Sequence, residues 1–323
     1  MQRKALYALL LVGLLAAPWL GAYPVFVMKV LCFALFAAAF NLLIGYTGLL
    51  SFGHAMFLAT AGYLTGYTIE SMGFTPELGV LAGTAAATLL GLIVGFFAIR
   101  RQGIYFAMVT LALAQLVYFV YLQAPFTGGE DGLQGVPRGK LFGLLSLSSD
   151  LALYYVLLVA IVLAFMLIVR IVHSPFGQVL TAIRENEPRA VSLGYDTDRF
   201  KLLAFVLSAG IAGLAGSLKV LVLGFETLGD AYWTMSGLVI LMTLVGGMGT
   251  LFGPLLGAAL VVTLEDRLGD IGGGLAALTH VEWFNSLGDS TTIVIGIVFI
   301  ACVLTFRRGI VGEIIARVRP LRG

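Results

Sequence analysis

The chain has 323 residues, 60% of them hydrophobic and 11% charged, with 19 basic against 17 acidic side chains for a net charge of +2. Its mean hydropathy is +1.02. So few charges cannot cover the surface of a soluble globule, which excludes a water-soluble enzyme, and the near balance gives no footing for nucleic-acid binding.

In chain order, apolar stretches fall at 5–22, 24–44, 51–69, 78–99, 103–123, 151–172, 203–223, 235–250, 251–264 and 291–306. Several reach the ~20 residues that a helix needs to cross the hydrocarbon layer. The pair 235–250 and 251–264 falls short and is interrupted by glycine and proline. The expected fold is an all-α polytopic membrane protein, one transmembrane domain over 1–323 with about eight to ten membrane helices in the bilayer. The N-terminal run MQRKALYALLLVGLLAAPWLGA has the layout of a signal peptide, but we read it as a retained first segment.

Basic residues concentrate on the cytosolic side of bacterial-type membrane proteins. Arg3, Lys4, Arg100, Arg101, Arg170, Arg184, Arg189, Arg199, Lys201, Arg307, Arg308, Arg317, Arg319 and Arg322 all fall there if both termini are cytosolic. That tracing puts 124–150 and 265–290, rich in glycine and acids, outside as periplasmic loops. The two cysteines, Cys32 and Cys302, sit in apolar runs and read as small buried hydrophobes.

Residues 43–50 read LIGYTGLL and residues 244–251 read LVGGMGTL, so an apolar helix end, a Gly-x-x-Gly pair and a fresh apolar start recur in the two halves. Glycine interruptions at matching places predict broken or re-entrant helices in inverted-repeat-like halves, whose freed backbone can line a translocation path. The path candidates are Asn41, Gly45, Thr47, Gly48, Ser51 and His54 at the first break and Gly246, Gly247, Gly249 and Pro254 at the second. A polar residue in a membrane interior is costly, which is why Asn41, Thr47, Ser51 and His54 stand out. His54 itself is expected to be a buried imidazole satisfied by a loop carbonyl rather than a proton relay. Elsewhere glycine is read as close helix packing, at Gly62 and Gly66, Gly91 and Gly95, and Ala209 and Gly213.

Between two apolar runs lies a charged, patterned segment, 173–202. Asn186 or Glu187 caps a short helix that Pro188 starts and Gly194 ends, and Asp196 or Thr197 starts the next. This predicts a small helix held between two membrane helices at the water boundary, a docking surface.

Catalytic signatures are missing. The nearest approach to a phosphate-binding loop, Gly139-Lys140, lacks the glycine five positions earlier and the hydroxyl after the lysine. His280 and Glu282 have no second close pair of metal ligands. No metal site or cofactor is expected in this chain, and no enzyme activity.

The blocks AIRENEPRAVSLGYDTDRFKLLAFVLSAGIAGLAGSL, NLLIGYTGLLSFGHAMFLATAGYL and ETLGDAYWTMSGLVILMTLVGGMGTLFGPLLGA together resemble the LivM-type permease of branched-chain amino acid ABC importers. The resemblance covers nearly the whole chain. It departs at Pro188-Arg189, where the family pattern has small or apolar residues. What it implies is an inner-membrane permease subunit partnered by a LivH-type permease, LivG- and LivF-type ATPases carrying ATP and magnesium, and a periplasmic substrate-binding protein that delivers an amino acid. By the same likeness Arg184, Glu185, Asn186, Glu187, Arg189, Ala190 and Gly194 form the coupling helix at the ATPase contact. A urea or short-chain amide importer is the alternative within this class. A secondary transporter driven by an ion gradient is less favoured, because Lys29, Lys219, Glu265 and Asp266 lie near span ends and leave His54 nearly alone in the interior.

Overall fold

The computed structural model describes residues 12–279, 291–306 and 309–318. Arg3, Lys4, Arg307, Arg308, Arg319, Arg322, His280 and Glu282 lie outside the described residues. Helices dominate: α1 (Pro24–Thr47), α2 (His54–Glu70), α3 (Pro76–Ala98), α4 (Ile104–Gln123), α5 (Asp150–Val172), α6 (Pro175–Glu185), α7 (Glu187–Ser192), α8 (Thr197–Leu223), α9 (Leu228–Ala231), α10 (Trp233–Gly246), α11 (Gly253–Thr279), α12 (Thr291–Thr305) and α13 (Gly309–Val318). Of the described helices, α1, α3, α4, α5 and α8 are long and apolar enough to cross a membrane. The chain is a multi-pass helical membrane protein.

Two helices form the centre. α1 and α8 are largely buried, and α8 packs against α1, α2 and α3, while α1 also meets α5, α10 and α11. The α3–α8 crossing is made by small residues in register: a Cβ added at Gly91 would stand 2.4 Å from the Ala209 methyl, and one at Gly213 would stand 2.4 Å from that of Ala87. Backbones that close gain dispersion contacts over the whole crossing, which is the force available between helices in lipid. The outward faces of α3 and α4 carry Leu81, Leu89, Phe96, Phe97, Met108 and Phe119, an apolar surface suited to acyl chains.

Two ends of the bundle are distinguishable. One gathers α6, α7, the start of α8 and the α10–α11 turn. At the other, the 124–149 connection folds over the helix ends. Strand β1 (Leu133–Gln134) pairs antiparallel with β4 (Phe225–Glu226), and β2 (Lys140–Leu141) pairs with β3 (Leu145–Ser146). Arg138 fastens this layer by an ion pair to Asp150 (2.5 Å) and a hydrogen bond to the Val222 carbonyl (3.3 Å).

Two expectations change. The segment 265–290, read as a loop from its acids and glycines, is helical as far as Thr279. Leu264, Leu268, Ile271 and Leu275 recur at helical spacing there, and that periodicity outweighs the propensity cost of Gly272, Gly273 and Gly274. The segment 173–202 holds two helices rather than one, because Ser174 caps α6 through the Gly177 amide (3.3 Å) and Pro175 opens its first turn.

Candidate functional site

The first interruption is an unwound stretch between α1 and α2. Gly48 ends α1 with φ +79, a left-handed value that glycine adopts without a Cβ clash, and helix resumes only at His54. Amides released there are taken up by buried hydroxyls, one from the stretch itself and two from other elements. The Phe52 amide donates to Thr110 Oγ1 (3.2 Å), that of Gly53 to Ser51 Oγ (3.2 Å), and that of Ala55 to Ser236 Oγ (2.9 Å). Non-helical backbone at membrane depth needs such partners, because no water is there to replace them.

His54 is fully buried and closes this region. Its ring lies edge-on to Phe40, with centroids 4.9 Å apart, and contacts Phe57 and Phe205. Ser208 donates its single hydroxyl proton to the Ala39 carbonyl (2.6 Å), so it accepts from His54 Nε2 at 2.8 Å. That assigns the Nε2–H tautomer and leaves Nδ1 without a partner. The partner is thus a hydroxyl on α8 rather than the loop carbonyl expected from the sequence.

The second interruption, 247–252, is a glycine turn. Gly247 has φ +123 and Gly249 φ +76. Thr250 Oγ1 donates to the Gly247 carbonyl (2.7 Å) and accepts from the Gly253 amide (3.0 Å). Pro254 falls in the first turn of α11, where its missing N–H costs nothing. α10 and α11 touch backbone to backbone: a Cβ at Gly246 would lie 1.8 Å from the Gly253 carbonyl oxygen, and one at Gly257 would lie 1.8 Å from that of Met242.

The two halves meet at Asn41. Its amide nitrogen donates to the Thr250 carbonyl (2.8 Å) and its oxygen accepts from the Gly249 amide (2.8 Å), so one side chain on α1 satisfies both sides of the turn. One turn further on, Gly45 has no room for a side chain, since an added Cβ would stand 2.7 Å from the Gly249 nitrogen. The Gly45 carbonyl accepts a hydrogen bond from the Arg184 guanidinium on α6. Thr47 lies beside it, bonded to the Leu42 carbonyl (3.4 Å). Asn41, Gly45, Gly249 and Arg184 are thereby brought together; Ser51 and His54 belong to the other interruption.

The α6–α8 surface is built from capped helices. Asn186 Oδ1 accepts from the Arg189 amide (3.1 Å), Asp196 Oδ1 accepts from the Arg199 amide (3.3 Å), and Gly194 turns the chain at φ +88. Glu187 faces inward and gathers Lys201, Gln102 (3.2 Å) and Thr197 (3.4 Å), which ties α7 to the start of α8 and to the segment before α4. Ala190 is also buried, at 2% exposure. Glu185, Asn186, Arg189 and Gly194 stay exposed, beside Val191, Leu193 and Tyr195.

A further cluster sits at the opposite end. Lys219, near the end of α8, lies 3.2 Å from Glu226 and 2.6 Å from Asp230, and Glu226 is fully buried against the bare face of Gly62. Burial pushes the Glu226 carboxyl well above its ordinary range against the pull of Lys219. Asp230 is also opposed by burial, but the Lys219 ammonium and hydrogen bonds from Lys219 and Thr227 hold it below its ordinary value. The sequence offered one clue, a lysine inside an apolar helix, and nothing in spacing alone joined it to the two acids. Among the described residues, no group of three or more His, Cys, Asp or Glu is arranged to hold a metal ion.

Interrupted helices joined by a buried asparagine, with an amphipathic capped surface beside them, define a membrane transport component. Residues 25–304 match the family described as branched-chain amino acid transport system, permease component, and the chain belongs to that family. It is 32% identical over 255 residues to the high-affinity branched-chain amino acid transport system permease protein LivM of Escherichia coli, covering 71% of this chain and 60% of that protein. Against its counterpart in Salmonella typhimurium it is 30% identical over 297 residues, covering 83% and 69%. The autoinducer 2 import system permease protein LsrC of Salmonella paratyphi B is 26% identical over 240 residues, covering 68% and 67%. The chain thus spans about two thirds of the length of the curated relatives that it matches. No solved structure matches it.

Proposed function

We propose that this chain is the membrane-spanning subunit of an ATP-driven importer for branched-chain amino acids, in the bacterial inner membrane with both termini cytosolic. It forms the translocation path and performs no chemistry; ATP and magnesium are bound by partner ATPases of the LivG and LivF kind. A LivH-type permease completes the membrane part, and a periplasmic binding protein delivers substrate.

The observation that carries this reading is the hydrogen bond from Arg184 to the Gly45 carbonyl, because it joins the exposed α6–α7 surface to the junction of the two interruptions. When the ATPases close, they displace α6 and α7 together with the start of α8, to which Glu187 ties α7 through Lys201. Arg184 carries that displacement to α1 at Gly45, and Asn41 carries it to the 247–252 turn. A bundle with two packings then opens to one side at a time, the condition for alternating access. Glu185, Asn186, Arg189 and Gly194 take the ATPase contact, with Val191, Leu193 and Tyr195 as its apolar part. The identity to the two LivM proteins supports branched-chain amino acids over the urea or amide alternative.

The test is co-purification of a tagged chain with its partners, followed by ATP-dependent uptake of leucine into proteoliposomes. Recovery without an ATPase, or accumulation driven by a pH or sodium gradient alone, contradicts the proposal. Uptake of urea but not leucine selects the alternative substrate.

A further inference from the structure

The β2–β3 hairpin turns through four consecutive apolar residues, Phe142, Gly143, Leu144 and Leu145, and all four are exposed. Phe142 is 72% exposed and Leu144 90%. A run of this kind on a surface turn is out of place unless something outside the chain covers it. The backbone points the same way. Phe142 has φ +50, and among the described residues no other side chain is carried at a positive φ. That left-handed setting suits glycine, asparagine or aspartate better than a bulky ring. The hairpin nevertheless holds it firmly: the Phe142 amide donates to Glu77 Oε1 (3.1 Å), the Leu144 amide to the Leu141 carbonyl (3.0 Å) and the Leu147 amide to the Gly139 carbonyl (3.1 Å). A ring held outward in a costly setting gains little within the chain, so its contact lies beyond it.

The position of the tip identifies that contact. Glu77 is the second residue of α3, and Arg138, just before the hairpin, pairs with Asp150, the first residue of α5. The hairpin is therefore pinned at the first turns of two membrane helices. The next exposed side chains along those helices are apolar, Leu78 and Leu81 on α3 and Leu151 on α5, and the α2–α3 turn adds Met72 and Phe74. Leu81 is four residues beyond Glu77, about 6 Å at helical rise. The tip thus continues the lipid-facing surface of α3. The level of the head groups is marked beside α5, where exposed Trp19 donates to the Tyr155 hydroxyl (3.0 Å) on the second turn, since indole rings gather at that boundary. Lys140, exposed at the base of the hairpin, has an apolar stem and a cation to set among lipid phosphates. We propose that the 142–145 tip dips into the bilayer surface, with Phe142 and Leu144 at the boundary between head groups and acyl chains, and so anchors the edge of the 124–149 layer to lipid. A soluble protein that meets this end of the bundle finds the hairpin edge already occupied. The inference rests on the membrane placement of the chain and stands whether or not the importer reading holds.

The test places the full chain, with the chains that co-purify with it, in nanodiscs of phosphatidylethanolamine and phosphatidylglycerol. A nitroxide is attached at Leu144→Cys or, as the control on the water side, at Ser148→Cys, which is exposed in the same layer. Both are made with Cys302→Ser, and Cys32 is buried. Accessibility to oxygen, which concentrates among acyl chains, is divided by accessibility to a nickel chelate, which stays in water. The expected ratio at position 144 is at least three times that at position 148. Adding Phe142→Asp is expected to bring it down to the value at 148, and because aspartate suits a left-handed position the hairpin stays folded. Equal ratios at the two positions without that substitution overturn the proposal, as does a ratio at 144 that Phe142→Asp leaves unmoved. Low access of both reagents to position 144 also overturns it and assigns the tip to contact with another protein.

Discussion

Asn41 and Thr250 are 209 residues apart in the chain, yet the amide of one donates to the carbonyl of the other at 2.8 Å, and the same amide group accepts from Gly249. The central helix α1 is thereby stitched to the glycine turn of the other half by a carboxamide, which supplies a donor and an acceptor in one plane. Removing it strands two backbone groups.

Asn41→Ala is therefore expected to be strongly destabilising, at about 1–3 kcal/mol for each stranded group. Asn41→Asp keeps the acceptor for Gly249 but sets a buried carboxylate against the Thr250 carbonyl oxygen, so at neutral pH it is expected to cost at least as much as Ala. Thermal unfolding of the purified protein in detergent checks the order. An alanine variant as stable as wild type contradicts the stitching role.

The α10–α11 contact predicts two opposite responses to the same substitution. Gly257→Ala puts a methyl 1.8 Å from the Met242 carbonyl oxygen and forces the helices apart. A loss of about 1–3 kcal/mol or more is expected from overpacking. Gly237→Ala, in α10 with nothing within 4 Å, is expected to be neutral or to stabilise by up to about 1 kcal/mol through helix propensity. Unfolding midpoints of the two variants report the contrast directly.

Glu226 sets a pH dependence. Its folded pKa lies above the ordinary carboxylate value, so its contribution is fully present below that value and is lost as pH rises through the raised one. Asp230 acts in the other direction and matters only at acid pH, because its folded value is depressed. Between mildly acid and alkaline pH, wild type is expected to lose unfolding midpoint while Glu226→Gln loses less. Parallel midpoint-against-pH curves for the two proteins would count against a protonated buried Glu226. Lys219→Met, which leaves Asp230 without its cation, is expected to destabilise severely at neutral pH.

Much of this was legible in residue order. Asn186, Pro188, Gly194 and Asp196 announce α7 and the start of α8 because caps and turns are local chemistry, decided within four residues. Glycine runs at Gly45–Gly48 and Gly246–Gly249 mark the interruptions for the same reason, although α1 continues as far as Thr47 before it breaks. The pairings were not legible. Arg184 and Glu187 look like surface charges in sequence, and only the packing of α6 on α1 brings the guanidinium of the still exposed Arg184 to the Gly45 carbonyl and the carboxylate of Glu187 to Lys201. Lys219 near a helix end reads as a residue reaching for the water boundary, and nothing along the chain shows that Glu226 and Asp230 fold back onto it.

The most direct test of the account is the ratio of leucine taken up to ATP hydrolysed by the reconstituted complex carrying Arg184→Gln. Gly45 loses a charge-assisted hydrogen bond, while the exposed residues of α7 that are proposed to meet the ATPase are untouched. Such a bond is worth about 1.5–3 kcal/mol, a tenfold effect or more on the linked motion. The account predicts ATP hydrolysis near the wild-type rate with uptake per ATP lowered at least tenfold. Uptake per ATP equal to wild type contradicts transmission through Arg184.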